Sequence, residues 1–343
     1  MALGPPWRPH VYVTRRLPGG AIDFLRQHCQ VGVWEGDVPV PALELRRQAA
    51  QSDGLLTLLT DRVDEQLLTS GSQLLVISNM ATGFDNIDIA AASRRNVLVT
   101  RTPGVLSETT ADFAFALMLA AARRVAEADR YVRRGSWQSW GPEVLLGQDV
   151  HGATLGIIGM GGIGQEMARR ARGFGMQILY HSRTRKPLLE RRYKMTFLPL
   201  DELLRQSDFV TLHAPLTPET RHLLGEPELR LMKPTAVLIN TARGQLLDQA
   251  ALYRALSDGR IAAAALDVTD PEPIAADDPL LALDNLLITP HIASASVTTR
   301  SRMAQLAAEN LLQALGGDVP KDTVNREIAR RWRPAIRRRA QSP

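Results

Sequence analysis

The stretch Thr154-Leu155-Gly156-Ile157-Ile158-Gly159-Met160-Gly161-Gly162-Ile163-Gly164, continued by Gln165 to Arg172, decides the fold. An apolar strand runs directly into G-x-G-x-x-G, and a helical pattern follows without a break, so the backbone amides at the helix start face whatever lies beyond the turn. Gly159 permits the tight turn, Gly161 lets an anionic ligand approach the backbone, and Gly164 lets helix and strand pack closely. Alone the glycine pattern is weak, and a ligand-free glycine-rich turn is the competing reading. The strand before it and the helix after it favour a pyrophosphate site.

Outward from this loop, short apolar runs alternate with helical patterns along most of the chain, which is the mark of parallel α/β architecture. A first series comprises His10 to Thr14, Gly54 to Leu59, Leu74 to Ser78 and Val97 to Thr100. A second comprises Thr154 to Gly159, Gln177 to His181, Phe209 to His213, Ala236 to Asn240, Ala263 to Val268 and Leu286 to Thr289, about six strands and enough for a complete dinucleotide-binding sheet. A long helical stretch, Ser107 to about Arg134, separates the series, with Ser107 as its N-cap. The helix Val297 to Leu315, ending at Gly316-Gly317, returns the chain to the first domain. The expected fold class is α/β, with two Rossmann-like, doubly wound parallel-sheet domains separated by an active-site cleft. Residues 1–104 and 294–343 form a flavodoxin-like substrate domain, and residues 105–293 a dinucleotide-binding domain.

Composition is compatible with this division. The 343 residues are 45% hydrophobic, enough for two ordinary cores. Cys29 is the only cysteine, so no intrachain disulfide forms, and a lone thiol reads as a small core residue. Met1 to His10 lacks a secretory apolar run, and Ala111 to Ala122 is too short to span a bilayer. A soluble cytoplasmic protein is therefore expected. Much of the net charge of +5 sits in Arg330-Arg331-Trp332-Arg333 and Arg337-Arg338-Arg339, read as a solvated, frayed tail, with neither nucleic acid nor membrane as a partner.

Three further segments place polar residues just past apolar strands, where open α/β sheets bind ligands: Val237 to Gly244, Ala265 to Pro273 and Ile288 to Ala295. Arg243 offers a fork of donors that holds a carboxylate bidentately and polarises a neighbouring carbonyl. His291 is a candidate general acid, and Glu272 a candidate to bond its other ring nitrogen and fix its tautomer. Each has a plainer role open to it: Arg243 as a surface ion-pair partner, Glu272 as a solvated turn residue, His291 as a capping or packed ring. Together, behind a dinucleotide fingerprint, they read as catalytic machinery.

These residues carry a resemblance to the D-isomer-specific 2-hydroxyacid dehydrogenases, nearest to their glyoxylate and hydroxypyruvate reductase branch. The similarity runs from Val13-Thr14-Arg15-Arg16 to Val324-Asn325-Arg326-Glu327. It is most specific at Gly83 to Asp88, Thr110 to Ala114, Gly156 to Gly164, Ala242-Arg243-Gly244, Leu266-Asp267-Val268 and Pro290-His291-Ile292. It implies that Arg243, Glu272 and His291 are the catalytic set, that the amides of Thr82 and Gly83 hold the substrate carboxylate, and that no metal takes part. It also implies cofactor contacts at Gly159, Gly161, Gly162, Ile163, Gly164, Thr110, Ala214, Pro215, Thr241, Asp267, His291 and Ser294. Gly162 stands where many relatives have Arg, Ala293 where Gly is usual, and Thr269 where an aromatic is common. The implied reaction is NAD(P)H-dependent reduction of small 2-oxo acids to D-2-hydroxy acids, with domain closure expelling water.

Two further expectations come from the residues. An NAD-selective domain usually ends its second strand in an acidic residue; here Gln177 to His181 runs into Ser182-Arg183-Thr184-Arg185-Lys186. Ser182, Arg183 and, with an equal case for a solvated turn, Arg185 suit a 2′-phosphate, so NADP(H) is preferred with NAD(H) possible. The apolar Ser107 to Arg134 segment and its extension through Trp137, Trp140 and Leu145-Leu146 suggest a homodimer, with internal packing of the tryptophans as the alternative. By resemblance Trp140 reaches the partner's substrate pocket. Rival functions are a dinucleotide-sensing corepressor and a dehydrogenase of another acid such as phosphoglycerate.

Overall fold

The computed structural model describes residues 7–341. The chain divides into two units, one running to Leu106 and resuming at Ser296, the other spanning Ser107–Ala295.

The first unit alternates β1 (His10–Val13), α1 (Ala21–Arg26), β2 (Gln30–Val33), α2 (Ala42–Gln51), β3 (Gly54–Thr57), α3 (Glu65–Ser70), β4 (Val76–Asn79), α4 (Ile89–Arg94) and β5 (Leu98–Thr100). The five strands form one parallel sheet in the order β2-β1-β3-β4-β5. Strands β3, β4 and β5 are buried at every residue, as near-continuous apolar runs covered on both faces must be. Asp64 and Asp88 cap α3 and α4 through the amides of Leu67 and Ala91. Cys29 lies in this core, where burial pushes its thiol up to about 11 and keeps it protonated.

The second unit opens with α5 (Ser107–Ala122) and α6 (Val125–Arg133), followed by β6 (Thr154–Ile158), α7 (Gly162–Gly173), β7 (Gln177–His181), α8 (Pro187–Tyr193), β8 (Met195–Phe197), α9 (Leu200–Gln206), β9 (Phe209–Leu212), α10 (Glu226–Leu231), β10 (Val237–Asn240), α11 (Gln249–Ser257), β11 (Ala263–Leu266) and β12 (Leu286–Ile288). Its seven strands are parallel in the order β12-β11-β10-β9-β6-β7-β8. Strand order reverses between β6 and β9, the topological switch at which such sheets bind ligands. One face packs Ile157, Phe209, Val237 and Ile239 against α5 and α7; the other packs Leu179, Val210, Leu238 and Leu252. The single helix expected over Ser107 to Arg134 is broken: Arg124 takes a left-handed φ of 52° and α6 starts anew.

The chain returns to the first unit as α12 (Val297–Leu315), capped by Ser296, and ends in α13 (Ala329–Gln341). The expectation of a frayed tail is thereby corrected, although Arg331 and Arg333 remain exposed. Trp332 is fully buried and its Nε1–H donates to the Leu75 carbonyl at 2.9 Å, so one aromatic anchor holds an arginine-rich helix on the domain. Among the described residues no helix is long and apolar enough to cross a membrane.

Candidate active site

In the second unit the candidate residues occupy the C-terminal ends of neighbouring parallel strands. The glycine loop follows β6, Ser182 and Arg183 follow β7, Ala214 and Pro215 follow β9, Thr241 to Arg243 follow β10, Asp267 to Glu272 follow β11, and His291 follows β12. The common strand direction alone collects them on one edge of the sheet.

The loop after β6 is shaped by close backbone approach. Gly159 has φ +100°, and a Cβ at Gly164 would lie 2.1 Å from the Gly159 carbonyl oxygen, so a side chain there would force strand and helix apart. A Cβ on Gly161 would meet nothing within 4 Å, which leaves the start of α7 open to a ligand. Amides with no intrahelical partner beside an open glycine suit a pyrophosphate.

Arg243 sits on a braced turn. Asn240 is fully buried; its Oδ1 accepts from the Ala242 amide at 3.0 Å and its Nδ2 donates to the Arg243 carbonyl at 2.8 Å. A Cβ on Gly244 would lie 2.1 Å from Thr269 backbone atoms, so only glycine lets the segment leading to Glu272 pass this close to the arginine turn. Glu272 Oε1 lies 2.6 Å from His291 Nδ1, with side chains 34% and 21% exposed. Glu272 thus engages the ring through Nδ1.

Asp267 holds the histidine loop in shape. It is 1% exposed; Oδ1 accepts from Thr289 Oγ1 at 2.6 Å and the Ile292 amide at 2.9 Å, and Oδ2 accepts from the Ala293 amide at 2.7 Å. The His291 amide donates to the Asp267 carbonyl at 2.9 Å, and His291 itself sits at φ 54°, a left-handed conformation that an unbraced residue rarely keeps. Its place among the expected cofactor contacts gave no sign of this bracing, because one buried aspartate in a sequence does not reveal which amides fold around it.

The remaining candidates are distributed as follows. Thr110 is buried in the first turn of α5, Thr241 is buried with an unpartnered Oγ1, and Ser294 follows the histidine loop. Ser182 Oγ donates to the Thr184 carbonyl at 2.8 Å. Arg183 is exposed, whereas Arg185 is held by Glu190 through two contacts of 2.9 Å. Trp140 is 81% exposed. Thr82 and Gly83 lie in the first unit, in the loop after β4. His213, singled out by nothing in the sequence, directly follows β9 with Nε2 2.9 Å from Thr211 Oγ1 and Nδ1 buried without a partner; burial pushes its pKa from 6.5 to about 3. A groove of about 360 Å³ opens at the opposite ends of the strands, lined by Ala121, Arg124, Arg130, Ala263, Asp284 and Leu286. It contains none of the candidate residues, and chemistry rather than size selects the site.

Comparison with known proteins shows what the chain is similar to. Residues 115–293 match the family model for the D-isomer specific 2-hydroxyacid dehydrogenase NAD binding domain. The chain is 49% identical over 324 residues to a glyoxylate reductase of Korarchaeum cryptofilum, covering 94% of this chain and 98% of that one. Among solved structures, the TT0316 protein from Thermus thermophilus is similar with a TM-score of 0.87 and 49% identity over 92% of this chain and 99% of its own. An NADPH-dependent glyoxylate/hydroxypyruvate reductase from Sinorhizobium meliloti, solved with NADP and malonate, is similar with a TM-score of 0.82 and 31% identity over 93% of this chain and 97% of its own. With the glycine loop, the Arg243 turn and the His291–Glu272 pair on one sheet edge, the chain belongs to the D-isomer-specific 2-hydroxyacid dehydrogenase family and is a nicotinamide-dependent oxidoreductase.

Proposed function

We propose that the protein reduces small 2-oxo acids of the glyoxylate and hydroxypyruvate type to D-2-hydroxy acids, with His291 as proton donor. The observation that carries this reading is the 2.6 Å contact between His291 Nδ1 and Glu272 Oε1, in loops that follow β12 and β11 beside β10, the strand that leads into the Arg243 turn. A bound reduced nicotinamide supplies the hydride to the substrate C2. His291 holds a proton on Nε2 and gives it to the carbonyl oxygen, while Glu272 keeps the ring oriented from the other side. Arg243 binds the substrate carboxylate as a bidentate fork. The amides of Thr82 and Gly83 are the family's further carboxylate donors.

Arg183, with Ser182 beside it once its hydroxyl turns from the Thr184 carbonyl, supports a preference for NADP(H), with NAD(H) still usable because no acidic side chain directly follows β7 to exclude either. Arg185 is committed to Glu190 and contributes little to that preference. A homodimer is supported by Trp137, Trp140 and Leu146, each more than half exposed on a segment that one copy leaves uncovered.

The test is a panel of 2-oxo acids with NADPH and NADH, on the wild type and His291→Ala. The variant should lose about 10²- to 10⁴-fold in turnover, the range for general acid catalysis, while binding cofactor normally. A wild type that binds the dinucleotide but turns over no 2-oxo acid would instead mark a sensor.

A further inference from the structure

Three successive peptide carbonyls in the loop after β4 are tied back by other groups. The Thr102 amide donates to the Ala81 carbonyl at 2.9 Å, Arg101 Nη1 donates to the Thr82 carbonyl at 3.1 Å, and Asn79 Nδ2 donates to the Gly83 carbonyl at 3.1 Å. In a trans peptide the N–H points opposite to the C=O of the same unit. Restraining these three carbonyls therefore fixes the N–H groups of Thr82, Gly83 and Phe84, each pointing away from the carbonyl of its own peptide unit. Those three N–H groups donate to no other group among the described residues. Successive outward amides of this kind form an anion-binding nest.

The three tethers differ in character. Asn79 is fully buried and shares a network with Thr57 and Asn86, and Thr102 is a buried backbone donor, so both belong to the permanent frame. Arg101 is a charged side chain given to a neutral carbonyl, with its guanidinium 5.5 Å from the centre of the Phe84 ring. Its own backbone is pinned on both sides: its N–H donates to the Asp322 carbonyl at 3.2 Å, and its carbonyl accepts from Asn310 Nδ2 at 3.1 Å on α12. The side chain thus acts from a fixed base across to the loop.

We infer that Arg101 is a positioning residue for the substrate carboxylate, aiming the Gly83 amide and completing with Thr82 and Phe84 a nest of three donors. This rests on the reading that the loop binds the carboxylate of a 2-oxo acid. The Phe84 amide becomes a third donor beyond the two that the family resemblance implies, and Arg101 acts through the loop rather than on the reacting atoms. Its hydrogen bond sets the direction of the amide, and its charge is secondary.

The experiment compares wild type, Arg101→Ala, Arg101→Gln and Arg101→Lys, all checked for native unfolding midpoints. KM for glyoxylate is measured together with equilibrium binding of oxamate to the enzyme loaded with reduced cofactor. Arg101→Ala should raise KM and weaken oxamate by about tenfold, the loss expected for one misaimed donor, with cofactor affinity unchanged and kcat altered less than KM. Arg101→Gln, neutral but still able to donate to the Thr82 carbonyl, should recover part of that loss. Wild-type KM and oxamate affinity in Arg101→Ala would overturn the inference. So would a Lys variant like wild type beside a Gln variant as weak as Ala, because charge rather than aim would then matter. A wild type that neither reduces glyoxylate nor binds oxamate would fail the functional reading itself and take the inference with it.

Discussion

Replacing Asp267 by Asn tests whether the histidine loop is held by a buried carboxylate. The side chain keeps its shape, but one of its two acceptor oxygens becomes a donor. In the better orientation the amide oxygen still faces Thr289 Oγ1 and the Ile292 amide, and the new NH₂ points at the Ala293 amide, donor against donor. One buried N–H then goes unsatisfied, at about 1–3 kcal/mol, and the two surviving bonds lose their charge assistance, at roughly 0.5–1 kcal/mol each. The sum is about 2–5 kcal/mol, concentrated on residues 289–293. His291 already holds a left-handed φ of 54° that this bracing sustains, so the loop relaxes before the sheet does. If the cost falls on that local equilibrium, the competent conformation drops by about 30-fold or more, and kcat/KM for glyoxylate falls with it. Steady-state kinetics measure the second effect, and the urea midpoint should move down modestly. An Asp267→Asn enzyme within twofold of wild type in kcat/KM would refute the reasoning, since it would show that His291 keeps its place without the carboxylate.

Arg183→Ala should weaken NADPH by about 1.5–3 kcal/mol and leave NADH nearly unchanged, as expected for loss of a charge-assisted bond to the 2′-phosphate; equal weakening in cofactor titrations would remove Arg183 from that role. His213 should make the fold acid-sensitive. Its pKa falls from 6.5 to about 3 on folding, so both states are neutral above pH 6.5, and below it the unfolded chain takes up a proton that the folded chain refuses. Stability therefore declines from pH 6.5 toward 3, by up to about 2–3 kcal/mol at pH 4.5, the lower figure allowing for the ring's partial contact with solvent. His213→Gln should flatten that slope in denaturation at stepped pH, and a slope unchanged from wild type would exclude the histidine as its source. Light scattering at micromolar protein should give twice the chain mass, whereas a monomer would rule out the proposed homodimer.

Much of the dinucleotide unit was legible because its signals are local. An apolar run that must be a buried parallel strand, ended by glycines and followed by a helical period, identifies itself within some twenty residues, and β6, β7, β9 and β10 lie where those runs end. Two strands gave no such signal. Gln30–Val33 carries a glycine and an exposed residue, and Met195–Phe197 is three residues long on the sheet edge, so each owes its extended form to the neighbouring strand. The division of Ser107 to Arg134 into two helices was also hidden, since Arg124 is an ordinary helix former whose left-handed conformation comes from its surroundings. At the C-terminus charge masked a single tryptophan: six arginines read as a frayed tail, but Trp332 is buried while the heads of Arg331 and Arg333 remain in water, so the helix docks without burying those charges.

By itself the sequence determined the class of architecture, the phosphate loop and which residue types stand at strand ends, because these depend on periodicity, glycine placement and strand direction. Only the tertiary structure decided what those residues do for one another. Glu272 and His291 are nineteen positions apart, yet their side-chain atoms lie 2.6 Å apart. Asp267 accepts from amides twenty-five and twenty-six positions away, and Arg101 reaches back nineteen positions to a carbonyl. Such contacts follow from the order β12-β11-β10 in one sheet and from β5 beside β4 in the other, which bring distant loops together. Hydrogen bonds act over about 3 Å in space whatever the separation along the chain, so no local pattern in the sequence encodes them.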